Sequence, residues 1–222
     1  MKDVIPVTPA TDTAASPAGT AAGTGSSARA RNPRGQGDRL REDLLDAAAD
    51  LLAQHGSVEP VSLRAVAKAA GVSPMAVYNH FDDKAALLDA AVDHCWHEFR
   101  AALAAAYLEA DDPFDRLRQA GFAYVDFALG RPGQYRVLFS VPTVSDGDHP
   151  PAGLGAFDDL VAVVADILTE RNDDRDPRFV AVQVHTWIHG IVGLIGCHPE
   201  GDWPEVEDLL EDLLVRLGLD HR

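Results

Sequence analysis

From Ser73 to Phe81 the chain reads Ser-Pro-Met-Ala-Val-Tyr-Asn-His-Phe. Wound as a helix, Val77 and Phe81 fall on one side at four-residue spacing. The other side presents Pro74, Met75, Ala76, Tyr78, Asn79 and His80. A solvated helix face ordinarily carries Glu, Lys and Gln. Small and apolar groups, an amide, a phenol and an imidazole in their place suit thymine methyls, base edges and phosphate oxygens. The chemistry on offer is therefore recognition of a nucleic-acid groove. Bond-breaking chemistry finds no support, because the sequence contains no nucleophile elbow, phosphate-binding Gly loop or metal-hydrolase motif. An enzyme is not expected, and no cofactor is implied.

Such a face is useful only if something holds it out. Ser62 is placed to cap a helix over Leu63 to Ala70, whose Leu63, Val66, Ala67 and Ala70 fall inward. Val61 can staple to Val66, and Gly71 stands where a left-handed residue ends a helix. Ser73 then caps the next helix, with Pro74 in the favoured first position and Val72 stapling to Val77. Helix, Gly-containing turn and helix make a helix-turn-helix, whose second helix enters the major groove.

The surrounding periodicity is helical almost throughout and predicts an all-α chain. Helices are expected at Arg39–His55, from Asp83 towards Leu108, at Phe114–Leu129, at Gly133–Phe139, at Ala156–Arg171, at Arg178–Gly196 and at Pro204–Leu217. Ser140 to Gly155, with three prolines and three glycines, reads as a long surface loop. Residues 1–37, rich in Ala, Thr, Gly, Ser and Pro, are expected to be a disordered tail. The organisation expected is thus a tail at 1–37, a three-helix DNA-binding domain at 38–84, and a helical effector-binding and dimerisation domain at 85–222. No continuous apolar run approaches a bilayer span, no secretory signal is evident, and two distant cysteines suggest no disulfide framework. The expectation is a cytoplasmic protein without membrane contact.

A formal net charge of -16 looks hostile to DNA, but the charge is unevenly placed. Residues 1–84 hold nine Lys or Arg against ten Asp or Glu, whereas residues 85–222 hold ten against twenty-five. Exposed charges are screened beyond about 8–10 Å, so the local field decides. Arg29, Arg31, Arg34, Arg39 and Arg41 cluster ahead of the first helix and could reach phosphates or simply solubilise the tail.

The run His55-Gly56, Val61-Ser62-Leu63-Arg64-Ala65-Val66-Ala67, Ala70-Gly71-Val72-Ser73, Val77-Tyr78-Asn79-His80-Phe81, Lys84 and Leu87-Leu88 closely resembles the TetR family of bacterial repressors. By that resemblance Ser62 and Arg64 stand near phosphates at the start of the supporting helix. Pro74, Met75 and Ala76, beside Ser73, approach bases; Tyr78 and His80 meet the backbone; Lys84 grips a phosphate. Asn79 occupies a variable position where an amide can read adenine. The resemblance further implies a double-stranded operator, a homodimer and a small-molecule effector. Trp187-Ile188-His189-Gly190 and the stretch Arg131 to Phe139 resemble a subgroup marked by Trp-His-Gly.

Thr186, Gly190, Gly193 and Cys197 share one helix face, and with the Leu-rich face of Val206 to Leu217 suggest a dimer through the last two helices. Close packing within one subunit is the competing explanation. An effector pocket is expected among Phe122, Tyr124, Phe127, Tyr135, Phe139, Trp187 and His189, with Tyr135, Trp187 and His189 foremost. Such a pocket suits a largely apolar molecule. Two alternatives remain: a DNA-binding regulator without effector, and a metal sensor built on His185 and His189 or on His94, Cys95 and His97.

Overall fold

The computed structural model describes residues 36–108, 110–140 and 152–220, and among these every regular element is a helix. Residues 1–35, with Arg29, Arg31, Arg34 and nearly all of the expected tail, lie outside the described residues. The helices are α1 (Gln36–His55), α2 (Leu63–Ala69), α3 (Pro74–Tyr78), α4 (Lys84–Leu108), α5 (Pro113–Gly130), α6 (Pro132–Ser140), α7 (Ala152–Glu170), α8 (Pro177–Cys197) and α9 (Val206–Arg216).

Their ends follow local chemistry. The carboxylate of Asp112 accepts from the backbone N–H of Phe114 and Asp115, and Pro113 fills the first turn of α5. Asp176 and Pro177 repeat that design at α8. Asp83 accepts from Ala86 N–H at 2.8 Å and so starts α4.

One hydrophobic core runs from Leu44 on α1 to Leu219 after α9. Helices α1, α2 and α3 pack round Leu44, Leu52, Val61, Val66 and Val77, all fully buried. The 25-residue α4 leaves this cluster and enters the larger bundle of α5, α7 and α8 with Leu87, Ala91, Cys95, Phe99 and Leu103 on its buried side.

Three expectations change. Residues 141–151 of the expected loop lie outside the described residues, and α7 begins at Ala152, before the expected Ala156. Gly153, read from sequence as a loop former, is instead a close-approach residue in the first turn. A Cβ there would stand 2.8 Å from the Trp96 ring. Second, α8 carries an 18-residue window of mean hydropathy 1.4, long and apolar enough by composition to cross a membrane. Gln183, His185, Thr186 and His189 interrupt it, which is why the sequence shows no continuous apolar run there. Third, the leucine face of α9 is used inside the subunit: Leu210, Leu213 and Leu214 are buried against α5 and α8. Only Val215 of that helix is an exposed large apolar side chain. Among the described residues, α8 leaves more large apolar side chains exposed than any other helix, at Phe179, Val182 and Leu194.

Candidate nucleic-acid interface and buried cavity

The helix-turn-helix is built from its caps outward. Ser62 Oγ accepts from Ala65 N–H at 3.2 Å, and Ser73 Oγ accepts from Ala76 N–H at 3.3 Å. Gly71, at φ +69°, makes the left-handed turn between them. Both staple anchors, Val66 and Val77, are fully buried beside Val61 and half-buried Val72. α3 ends at Tyr78, but Phe81 N–H still donates to Val77 at 3.0 Å, and this carries Phe81 into the core.

What remains outside is one coherent surface. Arg64, Ser73, Pro74 and Asn79 are exposed, Met75 is 64% exposed and Tyr78 is 51% exposed. Ser62, Ala76, His80 and Lys84 are half-buried at its edge. Lys84 Nζ donates to the Glu59 carbonyl at 2.9 Å, tying the start of α4 to the loop before α2. The Arg41 guanidinium lies over the Phe81 ring at 5.3 Å, so α1 also brings a cation to this end.

A second feature lies in the larger bundle. A cavity of about 390 Å³ is enclosed by Trp96, Phe99, Leu103 and Tyr107 of α4, by Leu117 and Tyr124 of α5, and by Phe139 of α6. Leu154, Phe157 and Leu160 of α7, with Val184, His185 and Ile188 of α8, close it. Of the residues expected to bind a ligand, Phe139 and Tyr124 line it. Phe122, Phe127, Tyr135, Trp187 and His189 do not. Phe127 sits between Phe99 at 5.1 Å and the Arg131 guanidinium at 5.1 Å, and Phe122 lies under Arg118. Trp187 is half-buried against the core.

Tyr135 and His189 instead meet just behind the cavity wall. Their Oη and Nδ1 atoms lie 2.5 Å apart, with the Tyr124 hydroxyl 2.9 Å from Tyr135 and 3.2 Å from His189. Burial pushes Tyr135 up to about 12 and raises Tyr124 further still, while burial lowers His189. With both phenols protonated, each hydroxyl can donate to the other or to Nδ1, so the three groups close one hydrogen-bonded cluster. The trio clamps α5, α6 and α8 together. His185 stacks on His189 at 5.8 Å and is lowered by burial and by that neighbour.

Sequence reasoning missed Trp96, Phe99, Leu103, Tyr107, Phe157 and His185. The signal was present on α4, where Trp96, Phe99, Leu103 and Tyr107 recur at helical spacing, but a cavity wall and a packed core give the same pattern. Likewise a Cβ added at Gly190 or Gly193 would meet nothing within 4 Å among the described residues. No close packing among those residues accounts for that small-residue face.

An all-helical chain with a capped helix-turn-helix at one end and a hollow bundle behind it is a DNA-binding regulator. The model of bacterial regulatory proteins of the tetR family matches residues 44–91, and that of the tetracyclin repressor-like C-terminal domain matches residues 117–217. The chain belongs to the TetR family of DNA-binding transcriptional regulators. The nucleoid occlusion factor SlmA of Vibrio cholerae is 28% identical over 98 residues, 44% of this chain and half of that protein. A structure from Rhodococcus sp. RHA1, of a protein with unknown function, superimposes with a TM-score of 0.67 at 26% identity, covering 80% of this chain and 93% of that one. The transcriptional regulator FadR from Bacillus subtilis, in complex with stearoyl-CoA, has the same fold at 16% identity, with a TM-score of 0.64 over 81% of this chain and 99% of that one.

Proposed function

We propose that this regulator is a homodimeric repressor that holds a palindromic operator and releases it when a small, largely apolar molecule fills the cavity. The carrying observation is that one helix serves both sites. α4 starts at Lys84, bonded to the loop before the supporting helix, and supplies Trp96, Phe99, Leu103 and Tyr107 to the cavity. A ligand that parts α4 from α7 tilts the same helix on which the DNA-reading unit rests. To release DNA it must favour the tilted state by a few kcal/mol.

On the DNA side, Pro74, Met75, Ala76 and Asn79 face base edges, while Ser62, Arg64, Ser73, Tyr78, His80 and Lys84 meet phosphates. Lys84 must exchange its Glu59 carbonyl for a phosphate, or share its ammonium protons between both. Two such surfaces one helical turn apart read a palindrome. The dimer seam proposed here is the open face of α8, with Val215 of α9 at its side. The domain division at residue 84 follows from the same reading, as does membership of the Trp-His-Gly subgroup for the stretch Trp187 to Gly190.

The test is selection of sites from random duplex DNA by the purified chain, followed by titration at two salt concentrations. The expected result is an inverted repeat whose binding weakens steeply with salt. Recovery of no enriched sequence, with or without a small-molecule library present, would overturn the reading.

A further inference from the structure

Resting on the reading of the cavity as the effector site, the geometry points to an effector of about a dozen non-hydrogen atoms that carries no negative charge and presents one hydrogen-bond acceptor, a carbonyl above all, to the Trp96 indole N–H. Size comes first. At a water's share of about 30 Å³, a cavity of about 390 Å³ holds on the order of a dozen first-row atoms.

Charge comes next. Among the described residues, no Asp, Glu, Lys or Arg lines the cavity. The cations beside its α7 side are already paired: Arg100 holds both carboxylate oxygens of Asp159, and Arg178, over the Phe157 ring, bonds Asp158 at 3.2 Å. An anion inside would find no charged partner but His185, whose burial opposes the protonation that pairing would need.

The acceptor follows from what the wall leaves unmet. Tyr124 lines the cavity, but its hydroxyl belongs to the Tyr135–His189 trio. Trp96 also lines it, is 93% buried (7% exposed), and has the one buried side-chain polar atom without a partner among the described residues, its indole Nε1. Indole nitrogen only donates, so the missing partner is an acceptor. The ring is wedged by Phe99 at 5.7 Å, Phe139 at 5.3 Å and the backbone at Gly153, and so cannot swing out to find water. A ligand that spreads α7 from α4 opens the route to this N–H, so that acceptor binding and helix displacement occur together.

Three probes of equal heavy-atom count separate these claims: acetylnaphthalene, isopropylnaphthalene and naphthoate, substituted at the same ring carbon. Affinities for the full chain are measured by calorimetry, and indole N–H resonances are followed by ¹⁵N correlation spectra. The ketone is expected to bind about tenfold more tightly than the hydrocarbon, the gain of one buried hydrogen bond that satisfies an orphan donor. Naphthoate is expected to be at least about a hundredfold weaker than the ketone. One indole N–H signal should shift with the ketone alone and be missing in Trp96→Phe, whose preference for ketone over hydrocarbon should fall to about twofold or less. Equal binding of ketone and hydrocarbon, or tightest binding by naphthoate, overturns the acceptor assignment and leaves the cavity reading standing. Failure of all three to bind overturns both. The wild-type affinity ratio and the shifted indole signal need no variant, so they decide the matter even where Trp96→Phe does not fold.

Discussion

Tyr78 is half in water, whereas Val77 beside it is fully buried. The two neighbours therefore separate recognition from folding. Tyr78→Ala should lower operator affinity by about tenfold or more while leaving the melting temperature within a degree or two, since surface changes away from special features stay within about ±0.5 kcal/mol. Val77→Ala should instead destabilise the whole unit. Unchanged affinity in the Tyr78 variant, measured by fluorescence anisotropy on the selected site, would move the recognition surface elsewhere. The histidines of the bundle make a second prediction at this scale. His185 and His189 are both held below the ordinary 6.5, His185 by burial and by His189, His189 by burial. The unfolded chain then takes up protons at these positions before the folded one does. Their contribution is intact above 6.5 and is lost as pH falls from 6.5 through the lower folded-state values. Thermal unfolding followed by circular dichroism should show a midpoint that drops on acidification in the wild type and drops less in a His185→Phe, His189→Phe double variant. An equal or steeper drop in the variant would contradict the assignment.

At the scale of elements, the contact that joins the reading unit to the hollow bundle is unusually close. A Cβ on Gly133 of α6 would overlap the Ala53 carbonyl oxygen of α1, a backbone atom that cannot yield as a side chain tip can. Gly133→Ala must therefore push α6 off α1, at a cost of about 1–3 kcal/mol or more. Gly130→Ala, with open space around its Cβ, serves as the control. Comparable melting temperatures for the two variants would show that the α1–α6 approach is not tight in solution. This contact also marks where sequence reasoning stops. The helices themselves were legible, because Ser62, Ser73, Asp83 and the prolines at 74, 113 and 177 announce helix starts by local chemistry alone. The outward face of α3 was legible for the same reason: inward Val77 and Phe81 fix its orientation. Which apolar residues surround a void rather than each other was not, since Phe99, Leu103 and Tyr107 recur every four residues along α4 whether they face a cavity or a core. Gly133 was legible only as a helix start and Gly153 only as part of a loop, because close approach is a property of the partner helix and not of the local run.

For the molecule as a whole, the outer face of α8 poses a problem of solvent. Phe179, Val182 and Leu194 are between 48% and 63% exposed, and the glycines between them leave room for a second helix to come close. A face this apolar is costly to leave wet, at roughly 25 cal/mol for each Å² of apolar surface. The chain downstream of residue 84 is acidic, ten Lys or Arg against twenty-five Asp or Glu, and that net charge disfavours indiscriminate association of copies. The two facts together favour a single symmetric seam, α8 against α8, over random association. A two-fold seam carries every substitution on both of its halves, so one substitution counts twice. Leu194→Arg would bury a guanidinium group from each subunit without a counter-charge, and should split the dimer. Sedimentation is expected to show a species of twice the 23.8 kDa chain mass for the wild type and of the chain mass for the variant. On a full inverted repeat the variant should lose most of its affinity, whereas on a half-site it should match the wild type, because its α3 surface is untouched. A variant that stays dimeric and keeps full-site affinity would place the seam off α8. A wild type that is monomeric and binds half-sites as tightly as repeats would remove the two-fold reading of DNA altogether.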